Sequence, residues 1–305
     1  MRLDDQRESS NIENRRGEGG FGAGGGLGAG GFGRGAGGGL FNLLLPLIGR
    51  RFGFLGVAIV LGALFLFGNF GGGGGQQALA PPSSQPATSP ELENATDRFV
   101  AKVLGSTEDS WGAIFKEAGQ TYQPPTLVFF RNGVNTACGG ATSAVGPFYC
   151  PADRKVYLDT GFFDELASRF GAPGDFAAAY VVAHEVGHHI QTLTGTSAEV
   201  SARQRSAGQA EANRLSVRLE LQADCYAGVW AGRNRDILDS GDFEEGVKAA
   251  QSIGDDTLQR EARGRVVPDS FTHGTSEQRI RWLTKGFDSG NPASCDSFAP
   301  AYQDL

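Results

Sequence analysis

Nineteen consecutive residues, Phe52–Phe70 (FGFLGVAIVLGALFLFGNF), pass without a charge and with one polar side chain, Asn69. That is about the length that crosses the hydrocarbon core of a bilayer as a helix. A buried helix this apolar all round needs a large domain wrapped about it, yet glycine-rich sequence lies on both sides. Fifteen of residues 17–39 are Gly, and Gly71–Gly75 is unbroken. Such stretches bury too little apolar surface to offset their ordering entropy. The chain of 305 residues therefore divides into a Gly/Arg-rich disordered arm (1–51), a transmembrane helix (52–70), a flexible linker (71–94) and a folded domain (95–305).

Charge sets the expected orientation. Residues 1–70 hold seven arginines against five acids, Arg50 and Arg51 abut the apolar run, and 71–97 has no Lys or Arg. The positive-inside rule then puts the N-terminus in the cytoplasm and the domain outside it, anchored by one crossing. Residues 71–305 carry 20 basic and 29 acidic side chains. That balance argues against a nucleic-acid partner, which wants a basic face. All four cysteines, Cys138, Cys150, Cys225 and Cys295, follow the run. An even count outside the cytoplasm suggests two disulfides, and Cys138 with Cys150 is the natural local pair across a turn-rich segment. Cys225 with Cys295 would then tie a helix to the tail, although four cysteines allow three pairings.

In the domain, Thr126–Phe130 and Lys155–Asp159 are short β-rich runs read as strands. Helices are expected over Gly161–Phe170, from a cap at Asp175 to a stop at Gly195, and from about Gln209 to Trp230. In the last, Leu215, Leu219, Ala223, Tyr226 and Trp230 form a core-facing stripe. Asp242 with Glu245, and Thr275 with Gln278, have the spacing of capping boxes. Strands followed by helices indicate an α+β fold.

Three of the four histidines lie in His184-Glu185-Val186-Gly187-His188-His189. His184 and His188, at i and i+4, share one helix face with Cβ atoms about 5–6 Å apart. That spacing suits one zinc ion, and Glu185 next to the first ligand can reach a bound water as general base. His189 lies about 100° round the helix and is read as a supporting or solvent-facing side chain. A third protein ligand is needed. Glu220 and Asp224 share a face of the Gln209–Trp230 helix, so Glu220 is the candidate ligand and Asp224 its partner, accepting the distal N–H of a ligand histidine. The spacing alone also allows two acids on a solvated face.

HEVGHH followed by ELQADCYAGVW resembles the bacterial neutral zinc metallopeptidase family, as do GPFYCPADRKVYLD (146–159) and SFTHGTSEQRIRW (270–282). The resemblance covers about residues 95–300. It implies a zincin-like domain with an HExxH helix behind a single membrane span, one Zn²⁺ per chain, and a protein or peptide substrate. The E-x-x-A-D pattern at 220–224 is similar to that of integral-membrane zinc proteases whose third ligand is the first Glu. Zinc proteases also need a donor for the oxyanion. His273 is the candidate, with a structural helix-entry histidine as the alternative, and Arg279 is structural or on the oxyanion side. Rival readings are a non-catalytic anchored zinc-binding or scaffold domain, and a zinc hydrolase of cell-envelope amides. A strand edge, Lys155–Asp159, is the candidate for binding extended substrate. Oligomeric state and cleavage specificity leave no sequence signal.

Overall fold

The computed structural model describes residues 1–18 and 92–305. The expected span 52–70, the glycine-rich 19–39 and nearly all of the expected linker lie outside the described residues. Among the described residues no helix is long and apolar enough to cross a membrane.

Residues 1–18 correct the expectation of a disordered arm. Ile12–Asn14 forms β1, which pairs in parallel with β2 (Thr126–Phe129). Leu3 and Ile12 are buried in the main core. Met1 packs partly buried against the same core. The arm's composition hides this order because its other contacts are polar and reach residues far along the chain, among them Asp97, Glu108, Asp175 and Asp236.

The first helix, α1 (Ala95–Glu117), starts where the Asn94 side chain accepts from the Asp97 N–H, the usual role of Asn at an N-cap. It buries Val100, Val103, Leu104, Trp111 and Ile114, one apolar face. The hairpin β3 (Gly133–Thr136) and β4 (Gly139–Thr142) follows β2, and then β5 (Phe148–Cys150) and β6 (Lys155–Leu158). The main sheet runs β1-β2-β6-β5, with β1, β2 and β6 parallel and β5 antiparallel to β6. Thus Lys155–Leu158 is an interior strand paired on both sides. It cannot add a substrate strand, and the edges are β1 and β5. The disulfide Cys138–Cys150 ties the hairpin turn to β5.

The C-terminal half is helical: α2 (Gly161–Ser168), α3 (Asp175–Leu193), α4 (Thr196–Ser206), α5 (Gln209–Arg233), α6 (Asp242–Ser252), α7 (Asp255–Arg263) and α8 (Ser276–Ser289). The α+β expectation holds, with a helix-rich balance that fits a zincin-like domain. Thr275 and Gln278 do form the capping box of α8. The other capping expectations fail. Gly174 at φ 148° is the N-cap of α3, in backbone space that favours glycine. Gly241 is the N-cap of α6. The Glu245 carboxylate instead accepts from the Phe176 N–H at the start of α3 (3.2 Å). Helix α3 ends with Gly195 at φ 84°, the left-handed stop the sequence signals.

Two glycine contacts position α5. A Cβ at Gly187 of α3 would lie 2.9 Å from the Ala223 carbonyl oxygen of α5, and one at Gly286 of α8 would meet the Cys225 carbonyl. Missing side chains thus let α5 press against α3 on one side and α8 on the other. The disulfide Cys225–Cys295 fastens α5 to the C-terminal tail, so both expected pairings are present.

Candidate metal centre

His184 and His188 project from α3 with ring centroids 4.8 Å apart. Glu220 comes across from α5, made close by Gly187. Its carboxylate lies 3.2 Å from His184 Nε2 and 3.5 Å from His188 Nε2. The three ligand atoms fall within 4.8 Å of one another. Glu220 is therefore not on a solvated face, and its side chain is 18% exposed.

Each histidine has its other nitrogen engaged. His184 Nδ1 donates to Asp224 Oδ1 (2.8 Å) and His188 Nδ1 to Gln191 Oε1 (2.9 Å). Such acceptors fix the tautomer that leaves both Nε2 lone pairs for a metal. Two imidazoles and a carboxylate are zinc-type donors, and three protein ligands leave a position open for water. The donor set fits the ion the sequence implies.

Asp224 has no exposed surface and is held by four hydrogen bonds. Tyr180 Oη donates at 2.6 Å, His184 Nδ1 at 2.8 Å, Arg279 Nε at 2.8 Å and Arg279 Nη2 at 2.9 Å. Arg279 Nη2 also donates to Tyr180 Oη at 3.1 Å. Burial alone would raise the Asp224 carboxyl, but Arg279 and His184 outweigh it and hold it at about 2. Burial likewise opposes charge on His184, and the two carboxylates overcome this and raise it to about 10. Glu220 is lowered well below the usual carboxylate range because His188, His273 and His184 outweigh its desolvation. Arg279 therefore acts through Asp224 and Tyr180.

Glu185 sits on α3 beside His184 and is 8% exposed. Burial pushes its carboxyl up, and His188 and His184 pull it back only in part. A raised carboxyl suits a group that takes up and returns a proton near neutrality. His273 follows a loop cradled by the buried Asp255, which accepts from the backbone N–H groups of Thr272 (2.7 Å), His273 (2.6 Å) and Gly274 (3.1 Å). Its Nδ1 lies 3.0 Å from Thr272 Oγ1 and 3.3 Å from Asp255 Oδ1. Burial disfavours its charge, yet Glu220 and Asp255 raise its pKa. The loop thus brings His273 into the field of the Glu220 carboxylate. His189 faces away from the site. It donates from Nε2 to the Gln123 carbonyl (2.6 Å) and accepts at Nδ1 from Tyr149 Oη (3.1 Å). Burial lowers its pKa to about 4, so it is a neutral strut between α3, β5 and the loop after α1.

The chain matches, over residues 1–298, the family described as "Putative neutral zinc metallopeptidase". It belongs to that family. It is 46% identical to the uncharacterized protein YpfJ of Escherichia coli K12, over 98% of this chain and 99% of the relative. It is 41% identical to uncharacterized proteins of Mycobacterium bovis and Mycobacterium tuberculosis, over 67% of this chain and 73% of each relative. No solved structure matches it. The family match begins at residue 1, so it includes the N-terminal segment that packs on the domain.

Two further residues that the sequence does not single out border the candidate centre. Tyr180 and Gln191 are buried on α3. Both signals were present: Tyr180 lies four residues before His184, and Gln191 three after His188, each one turn away on the same face. Gln191 also donates to the Leu219 carbonyl (2.7 Å) and to Gln222 Oε1 (3.1 Å), and Gln222 Nε2 donates to the Cys295 carbonyl (3.1 Å). The disulfide-tied tail is thereby linked to His188.

Proposed function

We propose that this chain is a zinc-dependent peptidase that holds one zinc ion on His184, His188 and Glu220 and uses Glu185 as its proton carrier. The observation that carries the reading is the convergence of two imidazole Nε2 atoms on one carboxylate, with both Nδ1 atoms already bound to acceptors. Bound there, zinc would supply Lewis-acid polarisation and a more acidic water. Glu185 would take the proton of the attacking water and return it to the leaving amine. His273, held by Asp255, would donate to the oxygen on which negative charge develops. A carboxylate base between two ligands has no use in a purely structural zinc site, which supports an enzyme over a scaffold. Extended substrate would pair with the free edge of β5, whose Tyr149 already touches the HExxH helix. We further propose that the domain works outside the cytoplasm, at the membrane. The two disulfides support an oxidising compartment, and the run 52–70 would supply the attachment.

The test uses the purified full chain. Elemental analysis should find one zinc per chain. Glu185→Gln should retain that zinc while hydrolysis of an unfolded protein falls by about 10²–10⁴-fold. Loss of zinc in Glu185→Gln would refute its role as base. Unchanged hydrolysis would refute the mechanism, and full zinc with no hydrolysis in the wild type would favour a binding domain.

A further inference from the structure

The N-terminal segment and the metallopeptidase domain are one folded body. The Leu3 carbonyl accepts from Lys102 Nζ (2.9 Å), and the Ser9 N–H donates to the Ala101 carbonyl (2.9 Å). Arg7 binds Glu108 (2.8 Å) and Asp109 (2.7 Å). Ser9 Oγ and Asn11 Nδ2 donate to the buried Glu108 carboxylate (2.6 and 2.8 Å). A Cβ at Gly105 would stand 2.4 Å from the Arg7 carbonyl oxygen, so α1 carries glycine where the segment crosses it. Glu13 on β1 pairs with Lys155 on β6 (2.7 Å). Arg16 spans Asp97 with two nitrogens (2.9 and 2.7 Å) and lies over the Phe129 ring. The Arg16 and Asp97 side chains are 6% and 0% exposed. A buried ion pair of this kind belongs to the folded interior.

These contacts constrain how the chain meets a membrane. Asn14 Nδ2 donates to Glu93 Oε1 (2.8 Å), so the two ends of the intervening sequence lie side by side. A single crossing between residues 18 and 92 would put the partners of every contact above on opposite faces of the bilayer. The arginine count behind that topology also changes meaning. Arg2, Arg7, Arg15 and Arg16 are ion-paired within the fold, so only Arg34, Arg50 and Arg51 of the seven remain as orientation signals. Two helical crossings would need about forty apolar residues, and 52–70 supplies nineteen. We infer that residues 1–18 and the metallopeptidase domain occupy the same compartment. This placement is independent of whether the domain binds zinc or cleaves peptides.

The experiment uses the full chain in cells, with Glu8→Cys and Arg205→Cys as separate variants. Both positions are exposed, and the four native cysteines are in disulfides. A membrane-impermeant maleimide is applied while the cytoplasmic membrane is intact and again after lysis. The two variants should behave alike. Both labelled before lysis gives a shared compartment outside the cytoplasm. Both labelled only after lysis also gives a shared compartment, while sinking the proposed extracytoplasmic location. One labelled before lysis and the other only after it would overturn the inference. As a second measurement on the purified full chain, Arg16→Ala should lower the thermal midpoint by roughly 6 °C or more. An unchanged midpoint would show that the segment is not part of the folded body.

Discussion

Replacing Arg279 with Leu tests whether the charge network behind His184 is what holds the centre in shape. The side chain is 3% exposed and meets the fully buried Asp224 through two nitrogens at 2.8 and 2.9 Å. Leu fills part of the space and donates nothing, so a buried carboxylate loses the guanidinium that pairs with it through two nitrogens. Removing one partner of such a pair costs about 3–5 kcal/mol. For a domain of this size that is roughly a 6–20 °C fall in thermal midpoint. The metal should also suffer, because the carboxylate that orients His184 is displaced; disturbing such an acceptor costs about 10–100-fold in affinity. The sign with pH follows from Asp224, whose folded pKa of about 2 lies below the ordinary carboxylate value. Its contribution is present above about pH 4 and lost as pH falls through about 2. In chelator, the stability gap between wild type and Arg279→Leu should therefore be full at pH 7 and shrink towards pH 2. Adding Asp224→Asn removes the stranded charge. The double variant should regain most of the stability but not the zinc affinity, since His184 still lacks its carboxylate. Thermal denaturation and competitive zinc titration read both quantities. A double variant as unstable as Arg279→Leu alone would mean that packing, not charge, is at stake, and the reasoning would fail.

Two further outcomes bear on the supports of the centre. Gln191→Leu should weaken zinc binding by about 10–100-fold by freeing His188 Nδ1. It should also cost about 1–3 kcal/mol by leaving the buried Gln222 Oε1 without its donor, and a variant with wild-type zinc affinity would remove Gln191 from the centre. Cys225→Ala with Cys295→Ala opens a loop of 70 residues, worth about 4 kcal/mol on loop entropy. Denaturant midpoints of this variant and of oxidised wild type should differ accordingly, and coincident midpoints would contradict that estimate.

The part of this centre that lies on a single helix was legible in the chain. A period of 3.6 residues places His184, Glu185 and His188 without knowledge of any other element, and the same arithmetic pairs Glu220 with Asp224 on α5. The approach of the two helices was not legible in that way. It depends on Gly187 meeting Ala223, a fact about two surfaces. The partners of Asp224 come from α3 and α8, and only His184 was anticipated among them. The N-terminal segment shows the same limit from the other side. Its glycine-rich neighbour and its arginines made it look like a cytoplasmic arm, because composition registers that a charge is present and not whether a partner waits for it. Glu108, Asp109 and Asp97 are such partners, presented by one helix some eighty to a hundred residues later. The arginines of residues 1–18 look like orientation signals because their counter-ions lie on another element, whereas the approach of the two helices turns on a glycine and not on a charge. Asp224 shares a helix with Glu220 and can be argued as its neighbour. The practical consequence concerns the positive-inside rule: arginines close to a folded domain's own acids should be weighed only after their contacts are known.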